Sequence, residues 1–334
     1  MRASIAIALS ATAALTLSAC SADGTDGADN SGNNAGPGDI SLVVTTTPLG
    51  SVTSQIAACA GGASTTLMPA GADPHDFSAS SSQVADMVKA DLVIANGLGL
   101  EGGLDASLDQ VEEDGTEVFH VAEKVDPLPF GEEEPGHEGE TAEEHAAHAD
   151  EDEHGHGDLD PHFWLDAARM ADAAGQIGDK VAEQTGDTSW SECGAEVAGE
   201  LTALDAELRE ALAVVPGDRR ALITDHDSFG YFNDAYGFRS VGVVVPGGST
   251  EAQPSSQDLA RLAGVIEEEC VPAIFSNSAV NPGLVDALTA EVQARQSQGQ
   301  TAADYPAIAE RLAVLHARHG AGHLRQEDDV LDTW

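Results

Sequence analysis

The chain has 334 residues, room for two domains of ordinary size, and its 42 % hydrophobic and 22 % charged make-up is that of a globular protein. Against 58 acidic residues stand only 14 basic ones, a formal charge of -44 that repels nucleic acid and anionic lipid and excludes DNA or RNA as a partner. Aromatic residues at 4 % argue against a cleft that stacks sugars or peptides, whereas the anionic surface suits a cation ligand or a saline exterior.

The first segment, residues 1–19, reads as a secretory signal: Arg2, an apolar run from Ile5 to Leu17, then small residues. It is too short to span a membrane permanently. The ending Leu17-Ser18-Ala19-Cys20 resembles a bacterial lipobox, in which Cys20 is lipidated and becomes the mature N-terminus; the alternative is an ordinary signal peptide cleaved nearby. Residues 20–38 are rich in Gly, Asn, Asp and Ser with almost nothing apolar, the composition of a flexible tether. No later stretch approaches about 18 apolar residues, so the chain is expected to be anchored and not threaded. Three further cysteines follow, Cys59, Cys193 and Cys270. Outside the cytosol two of them are expected to pair, and the residues alone leave the pairing open.

From residue 39 short apolar strands alternate with amphipathic helices, the pattern of an α/β fold with parallel-type sheets. Strands are predicted at 41–46 (SLVVTT), 64–68, 92–96 (LVIAN) and 117–121, with helices at 50–58, 81–90 and about 103–111. Residues 131–160 break all periodicity. Helices follow at 167–185 and 190–214, the second with Leu201, Leu204, Leu208 and Leu212 at helical spacing before Pro216-Gly217. A second alternating block has strands at 221–224, 241–245 and 273–275, a helix at 256–269 and a last helix at about 305–317. Two α/β lobes joined by one long helix are the simplest architecture: 39–189, the helix 190–214, and 215–334. A cleft between lobes is a natural ligand site.

Histidine carries the chemistry. Of twelve, five (His137, His145, His148, His154, His156) lie within 131–160 among thirteen Asp and Glu. Such a segment offers metal nitrogen and oxygen ligands but no core, and is expected to act as an auxiliary collector of modest affinity. Three others sit in turns at element boundaries, where α/β folds gather ligand groups beyond the sheet edge. These are His75 in Asp73-Pro74-His75-Asp76-Phe77, His162 in Asp160-Pro161-His162-Phe163-Trp164-Leu165-Asp166, and His226 in Thr224-Asp225-His226-Asp227-Ser228. Neutral imidazole suits Zn(II), and three histidines leave one tetrahedral position for a carboxylate or water.

The motifs DPHDF (73–77), NGLGLEGGLD (96–105), DPHFWLD (160–166), TDHDSFGYFNDAYGF (224–238) and STEAQPS (249–255), with the His-rich insertion, carry a family resemblance. Over 39–320 the chain resembles the zinc-binding branch of the cluster A-I metal receptors of bacterial ABC importers. The resemblance implies two lobes on a rigid backbone helix, and Zn(II) in the cleft held by His75 and His162 from the first lobe and His226 from the second. It implies a monomeric, lipid-anchored receptor on the outer face of the cell membrane, no enzyme, that serves an ABC permease and its ATPase. In the manganese branch a carboxylate typically replaces the histidine at the position of His226, so its presence favours zinc. Placing the backbone helix at 190–214 puts Cys193 in the same lobe as Cys59, and implies that these two pair.

One departure concerns the fourth ligand. The family usually has an acidic ligand late in the second lobe; here Asn277 stands where a glutamate is common, and 295–301 (RQSQGQT) stands where a strand and its aspartate belong. The second lobe is therefore expected to be shortened, and Asp304 is the weak remaining candidate. Two other readings stay open beside transport: a surface metal buffer or adhesin of the same fold, and a zinc hydrolase with Asp76, Asp225 or Asp227 as base.

Overall fold

The computed structural model describes residues 40–130, 159–245, 250, 253–271, 273–277, 282–297 and 313–317. The signal, Cys20, the tether, the five histidines of the insertion and Asp304 lie outside the described residues.

Two four-stranded parallel sheets follow one plan. The first is built from β1 (Leu42–Val44), α1 (Thr47–Ala60), β2 (Ser64–Thr66), α2 (Ser81–Val88), β3 (Leu92–Ala95), α3 (Asp105–Glu113) and β4 (Val118–His120), in the strand order β2-β1-β3-β4. The second is built from β5 (Ala221–Thr224), α6 (Gly230–Tyr236), β6 (Arg239–Val243), α7 (Ser256–Glu269), β7 (Ala273–Asn277), α8 (Pro282–Ser297) and β8 (Ala313–Ala317), in the order β6-β5-β7-β8. Between them come α4 (Ala167–Thr185) and α5 (Ser189–Leu212). In each sheet the strand order reverses beside the first strand, which opens a crevice at the carboxyl ends of the strands.

The apolar runs LVV and LVIA form central strands because both of their faces are covered. Leu42, Val44, Leu92 and Ile94 pack with residues of α1, α4 and α5, whereas Val43, Val93 and Ala95 pack with Met87, Leu108 and Val111 of α2 and α3. The second sheet has its own core, in which Ile223 and Ile274 meet Leu262 and Ile266 of α7 and Val285, Leu288 and Val292 of α8.

Helix α5, 24 residues and thus about 36 Å long at 1.5 Å per residue, joins the blocks. Its first half is in the first core through Trp190, Cys193 and Val197. Its far end grips the second lobe: Arg209 Nη1 donates to Ala235 O at 2.5 Å, and Arg220 Nη2 donates to Leu212 O at 3.2 Å. Cys59 of α1 and Cys193 of α5 form a disulfide, Cα–Cα 5.8 Å, the pairing the family resemblance implied. Cys270 is a free thiol at the end of α7.

Helices α4 and α5 meet backbone to backbone at two glycines. A Cβ on Gly178 would lie 2.6 Å from Trp190 O and 2.8 Å from the Cα of Gly194. Gly178→Ala must therefore separate the helices, and a loss of about 1–3 kcal/mol is expected, read as a shift of the urea midpoint at unchanged slope.

The late second lobe differs from the sequence expectation. Residues 313–317 (AVLHA) are a strand, parallel to β7 in the register Ala273↔Ala313 through Asn277↔Ala317, and not the end of a helix. Residues 295–297 finish α8, so the second sheet is not shortened: it has four strands, as the first does. Helix α8 supplies the crossover that a parallel β7–β8 pair requires. Its signals were an Asn281-Pro282 start and apolar residues at 284, 285, 288 and 292.

Candidate metal centre

The same tripeptide makes the same turn twice. In Asp73-Pro74-His75 and in Asp160-Pro161-His162 the aspartate Oδ1 accepts the histidine backbone N–H, at 3.0 and 2.9 Å. Asp suits this turn because its short side chain reaches the backbone two residues on, and proline pre-sets the middle residue. His226 leaves the carboxyl end of β5, and its backbone N–H is held by Asp225 Oδ1 at 2.8 Å.

These turns bring the three imidazoles into a near-equilateral triangle. Ring centroids are 5.5 Å apart for His75–His162, 5.5 Å for His75–His226 and 5.4 Å for His162–His226. One nitrogen from each lies within 4.8 Å of the others, close enough for a single ion with Zn–N bonds of about 2.0–2.1 Å after rotamer-scale adjustment. His162 and His226 are only 1 % and 3 % exposed, and His75 is half-buried. Trp164 and Phe130 flank His162, at centroid distances of 5.3 and 6.3 Å, and screen it from water.

Two carboxylates set the chemistry of the rings. Asp160 Oδ1 is 2.7 Å from His162 Nδ1, and Asp225 Oδ1 is 2.8 Å from His226 Nδ1. An ionised carboxylate only accepts, so this pairing selects the tautomer with the proton on Nδ1 and leaves the Nε2 lone pair available to a cation. Such partners fix the tautomer and raise the basicity of a ligating imidazole. The donor set fits zinc: three imidazole nitrogens, two of them oriented by carboxylates, on side chains that are buried or half-buried. Among the described residues no carboxylate joins the three histidines as a fourth member. Of the aspartates considered as a hydrolytic base, Asp225 is engaged with His226 and is 2 % exposed.

The two first-lobe turns are tied to one loop. Asn96 Nδ2 donates to Pro161 O at 3.0 Å, and Gly103 N donates to His75 O at 3.2 Å. Between them Glu101, 2 % exposed, accepts from Thr45 Oγ1 at 2.6 Å, Asn96 N at 2.6 Å and Gly97 N at 3.0 Å. Glu101 lies within the NGLGLEGGLD motif (96–105), whose pattern alone does not mark it as the anchor of the loop. An acidic residue amid glycines and leucines directly after a buried strand was the available signal.

Two parallel lobes on a shared helix, with imidazoles from both converging in the crevice, define a receptor that encloses a small cation. The chain belongs to the ZnuA family, described as zinc-uptake complex component A, periplasmic, which matches residues 42–312; this is a family of metal-binding receptors of ABC importers. The manganese-binding lipoprotein MntA of Bacillus subtilis strain 168 is 30 % identical over 284 residues, 82 % of this chain and 81 % of that protein. The zinc-binding protein TroA of Treponema pallidum is 30 % identical over 231 residues, 69 % of this chain and 67 % of that one. The solved structure of the periplasmic zinc-binding protein TroA superimposes with a TM-score of 0.63 at 28 % identity, covering 77 % of this chain and 84 % of the other.

Proposed function

We propose that this chain captures Zn(II) outside the cytoplasm as cargo, on His75, His162 and His226, and hands it to the permease of an ABC importer driven by its ATPase. The observation that carries this reading is the convergence of three imidazoles, drawn from both lobes, within 4.8 Å of one another. Relatives include proteins named for manganese and for zinc. Three imidazoles among the described residues favour zinc, since manganese prefers carboxylate and water oxygen. The receptor performs no bond chemistry: the ion enters hydrated, exchanges water for imidazole, and leaves by the reverse exchange.

Relatives named as lipoproteins or periplasmic proteins support an extracytoplasmic place, and Cys20 is the residue we assign to the lipid anchor of a monomeric receptor. Among the described residues no helix is long and apolar enough to cross a membrane. The insertion with His137, His145, His148, His154 and His156 serves as an auxiliary collector. Its flanks support that role: Pro129 bridges Leu159 and Asp160 N donates to Leu128 O at 2.8 Å, so the segment leaves and returns beside His162.

Titration of the purified protein with zinc against a competing chelator tests both sites. Deleting 131–156 is expected to lower the stoichiometry while one tight site survives; loss of the tight site would move the binding centre into the insertion. Occupancy of that site is expected to fall as the medium is acidified below about pH 6, because protons and zinc compete for the same imidazole lone pairs. Occupancy that stays constant between pH 7 and 5 would exclude histidine ligation.

A further inference from the structure

One side chain of the second lobe belongs to the core of the first. Tyr231, on α6, is fully buried among first-lobe residues. Its hydroxyl donates to Asp160 O at 2.7 Å and accepts from Leu128 N at 3.1 Å. The Arg169 guanidinium lies over the ring, 5.0 Å from its centroid, while its Nη1 bonds Asp166 Oδ2 at 2.7 Å and stands 3.5 Å from Asp234 Oδ2 on α6. The preceding residue approaches equally closely: a Cβ on Gly230 would fall 2.5 Å from Asp160 Oδ2.

Asp160 is the residue whose Oδ1 holds both Nδ1 and the backbone N–H of His162. Tyr231 therefore grips, by its carbonyl, the residue that aims a first-lobe imidazole. His226 stands five residues earlier on the same segment, between β5 and α6. The segment that places His226 beside the other two rings is thus also the segment that seats Tyr231 on Asp160. The contact also closes the base of the insertion, since Leu128 and Asp160 lie on its two flanks.

We propose that Tyr231 is a positioning residue that latches the second lobe onto the Asp160–His162 turn, and so sets how fast the bound cation is released. The latch rests on the reading of His75, His162 and His226 as the cargo ligands. It touches no ligand nitrogen itself. It acts by holding the lobe that carries His226 in register with the turn that carries His162. Burial pushes the Tyr231 phenol up to about 12, so the hydroxyl stays neutral and keeps both bonds across the physiological range.

The variants are Tyr231→Phe, which removes only the hydroxyl, and Gly230→Ala, which presses on the Asp160 carboxylate. Each full-length protein is loaded with zinc and mixed with excess chelator, and release is timed. Tyr231→Phe is expected to release zinc roughly 10–100-fold faster, the range for partners that orient ligands, with stoichiometry unchanged. Gly178→Ala, remote from the site, serves as the stability control and keeps the wild-type rate. Amide exchange on zinc-free protein gives a readout that needs no metal: Tyr231→Phe should strip protection from the Leu128 and His162 amides. Wild-type release from Tyr231→Phe overturns the latch while the zinc reading stands, even if the melting temperature falls. Should the wild type take up no zinc, that reading fails, and unchanged His162 exchange in Tyr231→Phe then overturns the latch on its own.

Discussion

His226→Ala is expected to weaken zinc binding by roughly a thousandfold, more than the 10–100-fold that an orienting partner is worth. His226 is the second-lobe member of the triangle, so its loss removes a Zn–N bond and also the bridge through which the ion holds the lobes together. Two readouts should move together: affinity in chelator competition, and the rise in melting temperature on adding zinc, which reflects preferential binding to the folded state. Asp225→Asn is the graded companion. It keeps the ring but loses the carboxylate that fixes Nδ1 as the protonated nitrogen, at 2.8 Å, and the expected loss is 10–100-fold. If His226→Ala bound zinc as the wild type does, the triangle would not be the metal centre.

The sequence displays these features unevenly, for physical reasons. The strands LVV and LVIA are legible because parallel strands buried on both faces read as unbroken apolar runs. Helix α5 is legible from its leucine spacing, within two residues at its end. The three histidines stand out because each sits in a short polar turn at an element boundary. Their convergence is a property of the fold, however, and the family resemblance supplied it where spacing did not. Strand β8 reads as the end of a helix because Leu312 and Leu315 fit a helical period as well as a strand, and the pairing of β8 with β7 decides for strand; helix α8 has no counterpart among the predicted elements. Asp160, Tyr231 and Glu101 were passed over because their partners are remote in sequence: the Tyr231–Asp160 bond spans 71 residues and the Thr45–Glu101 bond spans 56.

Glu101→Ala is expected to destabilise the first lobe by about 3–5 kcal/mol, since each buried donor left without an acceptor costs about 1–3 kcal/mol. Three donors point at this carboxyl, from Thr45, Asn96 and Gly97. The backbone it holds is one the chain does not adopt freely: Gly97, Leu98 and Gly99 have φ of 88°, 55° and 74°. Leu98 in that left-handed region costs about 1–2 kcal/mol and persists because its surroundings impose it. Once the loop relaxes, the Asn96 bond to Pro161 and the Gly103 bond to His75 go with it, so zinc affinity should fall alongside stability. Burial pushes the Glu101 carboxyl above its usual 4.5, with the three donors pulling the other way. Above pH 4.5 the native state therefore retains a proton that the unfolded chain has released, and stability contributed by this group is lost as pH rises through the folded value. Glu101→Gln cannot titrate, so its deficit against the wild type in urea unfolding should shrink from pH 4.5 towards neutrality. A deficit that widens over the same range would mean that the donors, and not burial, govern this carboxyl.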